Sequence, residues 1–169
     1  MPKSKKDKKS ISVAVLMGSD SDFPHMKDAV EALKQFGVAS QVQVLSAHRT
    51  PEDVANFGRR ARDNGFRVLI AGAGGAAHLP GMLASYTELP VIGVPVPLGP
   101  MQGEDALLSI VQMPKGIPGA TVAIGNAWNA GILAAQILAV ADDRLMDEVL
   151  NYKKEMARIV RSKKLPKVS

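Results

Sequence analysis

No cysteine occurs among the 169 residues, which excludes disulfides, thiol nucleophiles and cysteine-ligated metals and fits a reducing compartment such as the cytoplasm. Aromatic residues make up only 4% of the chain against 46% hydrophobic residues, so the core has to be built from Ala, Val, Leu, Ile and Met. The same scarcity removes the basic, aromatic-studded face that single-strand nucleic-acid binders use. No apolar run reaches the ~18 residues that signal a membrane span; the nearest, Ala130 to Ala141, is too short. The Lys-rich opening segment leads into a strand pattern without a signal peptide's apolar region and cleavage site. Histidine is scarce too. His25, His48 and His78 lie on separate segments with no His-x-x-x-His spacing, so no metal site is expected. No Gly-x-Ser-x-Gly elbow is present for a hydrolase nucleophile.

The net charge of +5 belongs to the ends. Residues 1–10 carry +4 and residues 161–169 another +4, which leaves the body at −3 by formal count. A nucleic-acid partner is therefore not expected. Residues 1–10 read as a disordered Lys-rich tail, 11–163 as a single catalytic domain and 164–169 as a basic tail.

Within the domain, short β-branched runs alternate with amphipathic stretches. Strands are expected at 11–17, 41–45, 67–71, 90–94 and 120–124. Helices are expected at 22–36, from a cap at Thr50 to about residue 64, from the loop ending at Gly81 to Tyr86, at 104–113, 126–141 and 142–163. This alternation predicts a three-layer α/β/α sandwich on five parallel strands, with a C-terminal helix and the active loops on one edge. The last helix places Leu145, Val149, Tyr152, Met156 and Ile159 at helical spacing. The helix at 126–141 is apolar nearly all round, which fits a deeply buried core helix or a subunit interface; Ala130, Gly131, Ala134 and Ala135 would permit close helix approach, and the interface is the preferred reading.

Ligands of such sheets sit beyond the carboxyl ends of the strands. There the chain places Ser46-Ala47-His48-Arg49-Thr50-Pro51. Imidazole titrates near neutrality, and the planar fork of Arg49 suits a phosphate or carboxylate. Thr50 is expected to cap the following helix, with Pro51 in its first turn and Asp53 three residues after the cap. The loop Gly72-Ala73-Gly74-Gly75-Ala76-Ala77 formally meets the dinucleotide fingerprint, but the next strand ends Gly93-Val94-Pro95, without the acidic residue that holds a ribose. A response-regulator site could take Asp20 and Asp22, yet needs an Asp where this loop has glycine. What remains is proton-transfer chemistry without a cofactor, in a site with histidine, arginine, short hydroxyls and a loop that offers backbone N–H groups and room.

Four segments together resemble the PurE family of purine biosynthesis: Gly18-Ser19-x-Ser21-Asp22, Ser46 to Pro51, Ala71 through His78-Leu79-Pro80-Gly81 to Met82, and Ser109-Ile110-Val111-Gln112-Met113-Pro114. The match runs in order and spacing from about Val13 to Asp142. It implies a flavodoxin-like fold, a homo-octamer, no metal or organic cofactor, and a functional link to the ATP-dependent carboxyaminoimidazole ribonucleotide synthetase. It also implies the class I activity, N5-carboxyaminoimidazole ribonucleotide mutase, an isomerase that moves a carboxylate from an exocyclic nitrogen to a ring carbon. Class II relatives carboxylate aminoimidazole ribonucleotide directly, and typically have Lys where this chain has Arg49. A non-catalytic nucleotide-binding module is the reading from another class.

On this resemblance His48 is the expected general acid and base, Arg49 and Ser19 the phosphate contacts and Asp22 the acceptor for ribose hydroxyls. Gly18, Ser46, Ala47, Ala73, Gly74, Ala76 and Leu79 are expected to line the site, and His78 to orient the carboxylate or to pack. Ser21 and Asp20 read as turn formers and His25 as an exposed bystander. Two departures from the family pattern stand out. Ala106 replaces a usual Ser, which removes a polar contact expected near a lid at 95–103, and Trp128 replaces small residues at an expected subunit contact.

Overall fold

The computed structural model describes residues 12–165. The two tails expected at 1–10 and 164–169 therefore lie outside the described residues, apart from residues 164 and 165, as does the expected start of the first strand at residue 11. The elements are β1 (Val13–Met17), α1 (Phe23–Gln35), β2 (Ser40–Val44), α2 (Pro51–Arg60), β3 (Val68–Ala73) and α3 (Leu79–Tyr86). After them come β4 (Val91–Pro95), α4 (Glu104–Val111), β5 (Ala120–Thr121), α5 (Ala127–Ala139) and α6 (Asp143–Ser162).

All strands are parallel, in the order β2-β1-β3-β4-β5. Parallel strands covered on both faces should be apolar throughout, and β1, β3 and β4 are buried at every residue. Their side chains divide by alternation. Ala14, Leu16, Leu69 and Ala71 pack with Val54, Leu79, Leu83 and Ile110 of α2, α3 and α4. Val13, Val15, Val68, Ile70 and Ile92 pack with Met26, Ala29, Leu33, Ala130 and Ala134 of α1 and α5. Each large side chain so buried contributes about 1.5–3 kcal/mol. The winding reverses between β1 and β3, and the crevice there opens at the strands' carboxyl ends.

β5 is shorter than the expected 120–124. Val122 N–H still reaches Gly93 O at 3.2 Å, but the next rung requires an N–H from residue 95, and Pro95 has none. The chain bends instead, and Gly125 N–H donates to Pro95 O at 2.8 Å.

The small face of α5 serves the interior of the chain and not a subunit contact. Ala130, Gly131, Ala134 and Ala135 are buried in the single chain. A methyl group on Gly131 would stand 2.7 Å from both Ala29 O and Ala32 Cβ of α1, so only glycine lets the two helices approach this closely. α6 packs on the other side of α5 through Phe36, Ala135, Ala139, Leu145 and Val149. Trp128 also has an internal partner, since its indole N–H donates to Tyr152 Oη at 3.3 Å. The α6 stripe is covered only in its first half: Leu145 and Val149 are buried, while Met156 is 49% and Ile159 46% exposed.

Candidate active site

Four loops leave the carboxyl edge of the sheet. In the first, Ser19 caps a single 3-10 turn, Asp20–Asp22, in a reciprocal capping box. Ser19 N–H donates to Asp22 Oδ2 at 3.0 Å, and Ser21 N–H donates to Ser19 Oγ at 3.4 Å. Ser19 Oγ donates in turn to Asp20 Oδ1 at 3.0 Å, so Asp20 and Ser21 are turn formers as expected. Asp22 is 3% exposed, the one buried polar side chain among the described residues. Burial pushes its carboxyl above the usual range, and the amides of Ser19 and Gly18 pull it part of the way back. His25 acts on it in the same downward direction. That histidine is half-buried in the first turn of α1, less open than the exposed position expected of it.

The second loop fixes its arginine through its own side chains. Ser46 Oγ accepts from Arg49 N–H at 3.2 Å and from Arg49 Nε at 3.1 Å, while Arg49 Nη2 donates to Gly18 O at 3.1 Å. Two sides of the guanidinium are thereby held, which leaves Nη1 for a ligand. Thr50 occupies the cap position and Pro51 the first turn, but the Thr50 hydroxyl does not bond forward to α2. It turns back to donate to Ser46 O at 3.1 Å and to accept from Ser46 N–H at 3.2 Å. The expected capping box is thus a clasp across the His48 turn.

The third loop, residues 74–78, has almost no side chains until His78, which stands at the N-terminus of α3. His48 Nε2 and His78 Nδ1 lie 2.8 Å apart, with ring centroids 4.9 Å apart and planes at 86°. Two N–H groups cannot point at each other across that gap, so one ring donates and the other accepts. His78 is therefore a partner of His48 and not a packing residue. The fourth loop follows β4. Val96 N–H donates to Ala73 O at 3.0 Å, which ties this loop to the third.

One cavity of about 420 Å³ joins the four loops. All twelve expected residues line it: Gly18, Ser19 and Asp22 from the first loop, Ser46, Ala47, His48 and Arg49 from the second, and Ala73, Gly74, Ala76, His78 and Leu79 from the third. Two further residues line it: Ser21, which the sequence reads as a turn former, and Leu98, which lies within the expected lid at 95–103. An apolar residue between prolines carries no signal that distinguishes lining from packing. Ala106 does not reach the cavity; it is fully buried beneath the third loop with Ala73, Ala77 and Ile110. A more open hollow of about 710 Å³ adjoins on the α2 side and shares Ser19, Ser46 and Arg49. Among the described residues no three His, Asp or Glu side chains are grouped to hold a metal ion.

A sheet of this order, with histidine, arginine and a buried carboxylate around a side-chain-poor loop, can bind an anionic ligand and pass it a proton. The chain is similar to known proteins. The N5-carboxyaminoimidazole ribonucleotide mutase of Mycobacterium tuberculosis is 55% identical over 151 residues, 89% of this chain and 87% of that protein. The enzyme of the same name from Thermotoga maritima is 54% identical over 89% of this chain and 88% of its own length. The crystal structure of Treponema denticola PurE superposes with a TM-score of 0.79 at 31% identity, covering 88% of this chain and 92% of that one. The family model described as AIR carboxylase matches residues 12–159, and with that match the chain belongs to the AIR carboxylase, or PurE, family.

Proposed function

We propose that this chain is an N5-carboxyaminoimidazole ribonucleotide mutase of purine biosynthesis, an isomerase that forms 4-carboxyaminoimidazole ribonucleotide. The observation that carries the reading is the meeting of His48, Arg49, Asp22 and the loop 73–78 in one cavity, in a chain 54–55% identical to enzymes of that name.

A carbamate loses carbon dioxide once its nitrogen is protonated, and the ring carbon that receives the carbon dioxide must afterwards lose a proton. One imidazole serves both steps and ends as it began, and His48 is placed for them. His78, bonded to His48 at 2.8 Å, orients its ring. Arg49, held by Ser46 and Gly18, keeps donors for the substrate phosphate, with Ser19 beside it once its hydroxyl leaves Asp20. Asp22 accepts from the ribose hydroxyls. Gly18, Ala47, Ala73, Gly74, Ala76 and Leu79 give the ring and the carbon dioxide a close-fitting wall, with 95–103 as the lid. The chemistry asks for no metal or organic cofactor.

The catalytic domain is residues 11–163, and it works as a homo-octamer in the cytoplasm. Leu108 and Val111 of α4 and Met156, Ile159 and Val160 of α6 are exposed in the single chain, apolar surface that assembly covers. No helix among the described residues is long and apolar enough to cross a membrane. The substrate is an N-carboxylated amine, so an ATP-dependent carboxylating synthetase is the functional neighbour.

Purified protein is assayed with the N-carboxylated ribonucleotide and, separately, with aminoimidazole ribonucleotide plus low bicarbonate. Rapid conversion of the first alone is expected. Efficient use of the second makes the chain a direct carboxylase, and activity with neither leaves a nucleotide-binding module.

A further inference from the structure

Within the lid at 95–103, the side chain that lines the cavity is Leu98, in the loop after β4. Its position is built from both sides. Val96, fully buried, donates its N–H to Ala73 O at 3.0 Å, and Leu98 N–H donates to Val96 O at 2.9 Å. The loop is thereby pinned to the end of β3. Pro97 fixes the backbone just before the leucine, and Gly99, at φ 72°, turns the chain away just after it. A methyl group on Gly74 would stand 3.0 Å from Leu98 Cβ and 3.1 Å from Leu98 Cδ1. The leucine thus lies flat on the backbone of Gly74 in the space that a side chain there would fill.

Under the mutase reading, one intermediate state has no covalent hold on the migrating group. His48 gives its proton to the exocyclic nitrogen, the C–N bond breaks, and aminoimidazole ribonucleotide and carbon dioxide share the cavity. The ring carbon then attacks carbon dioxide, the new C–C bond forms, and the proton displaced from that carbon returns to His48. Between the two steps carbon dioxide is small, neutral and apolar. Charged and hydrogen-bonding groups hold it poorly, so retention falls to the shape of the wall.

We propose that Leu98 is the side chain that retains carbon dioxide between the two steps and so sets the partition between transfer and escape. This rests on the mutase reading. When carbon dioxide escapes, the amine keeps the proton that His48 gave, and His48 is reprotonated from water. The products are then aminoimidazole ribonucleotide and bicarbonate.

The test follows the N-carboxylated ribonucleotide in 13C-bicarbonate buffer with carbonic anhydrase present. Label in the product and free amine per turnover are measured by mass spectrometry, after subtraction of enzyme-free breakdown. Wild type is expected to give little label. Leu98→Ala is expected to raise label and amine about tenfold, the lower end of what a missing methylene or more is worth in an apolar pocket. The volume-conserving Leu98→Met stays near wild type. Unchanged label in an active Leu98→Ala overturns the proposal, as does an equal rise in Leu98→Met, which would mean that the loop and not the side-chain shape was disturbed. Should Leu98→Ala fail to fold, Leu98→Val decides: a smaller rise supports retention, and the wild-type partition overturns it. Failure of the mutase reading shows separately, as wild type that does not convert the substrate.

Discussion

Residues 45–50 and 73–78 leave the ends of the two strands that flank β1, yet they are held in place by different means. The first is rich in side chains that bond to one another: Ser46 to Arg49, Thr50 to Ser46, and Arg49 across to Gly18. The second, up to His78, is held by its backbone and by what packs on it, with Val96 bonded to Ala73 and Leu98 seated on Gly74. One loop supplies reacting groups at fixed positions, and the other supplies an absence of side chains. A side-chain hydrogen bond joins them, at 2.8 Å between His48 and His78. The comparison teaches that chemistry and space are specified separately, so each should break without the other.

The largest expected effect lies on the chemical side. His48→Asn removes the group that titrates and keeps a polar side chain of similar reach, so turnover should fall by about 10²–10⁴ while calorimetry still shows substrate binding. Unchanged turnover in a spectrophotometric assay would remove His48 from the reaction. On the other side, Gly74→Val adds a branched three-carbon side chain where a Cβ alone would stand 3.0 Å from Leu98 Cβ and 3.2 Å from Val96 O. Overpacking of this kind costs about 1–3 kcal/mol of stability, and with the wall displaced kcat should fall although His48 and Arg49 are intact. A variant with wild-type melting temperature and rate would show that the space at Gly74 is not needed. Arg49→Lys is smaller again. The point charge cannot reproduce the fork held by Ser46 and Gly18, and losing a charge-assisted bond of about 1.5–3 kcal/mol should weaken substrate binding about tenfold or more. Equal affinity by calorimetry would take the phosphate away from Arg49.

The two loops also differ in how far the sequence disclosed them. Ser46 to Pro51 announces itself by residue type, because a histidine and an arginine between a strand and a capped helix suggest a site with no fold in hand. Even there the direction of Thr50 was not legible: whether a hydroxyl bonds forward to its helix or back across the turn depends on where Ser46 comes to rest. The glycine-rich loop disclosed only that it was roomy. That His78 would meet His48, thirty residues earlier, depends on β1 lying between β2 and β3 in the sheet, a long-range fact that periodicity does not carry. Leu98 lies within the lid expected at 95–103, but nothing in the sequence singles it out from its neighbours. The strands and most helices followed from apolar spacing, since burial on both faces leaves such a regular mark. The partner of the small face of α5 did not, because alanines and glycine permit close approach without naming what approaches.

Asp22 offers the smallest effect and a way to sharpen the comparison, since it serves the first loop as a structural cap while lining the cavity. Its carboxyl is raised by burial above the ordinary value of 3.8. A carboxyl raised by folding binds its proton more readily folded than unfolded. Ionised Asp22 therefore subtracts from stability above its folded pKa, and that loss is relieved as pH falls from the folded value towards 3.8. Paired carboxylates with lowered values show the reverse slope. Asp22→Asn should abolish this relief, so the difference in unfolding free energy between variant and wild type should shift in favour of wild type as the medium is acidified through that window. Denaturant titrations at closely spaced pH values read it directly. A difference that stays constant with pH would mean that the amides of Ser19 and Gly18 fully offset the burial, and Asp22 would then belong to the hydrogen-bonded side of the comparison, with the clasp at Ser46 and Thr50.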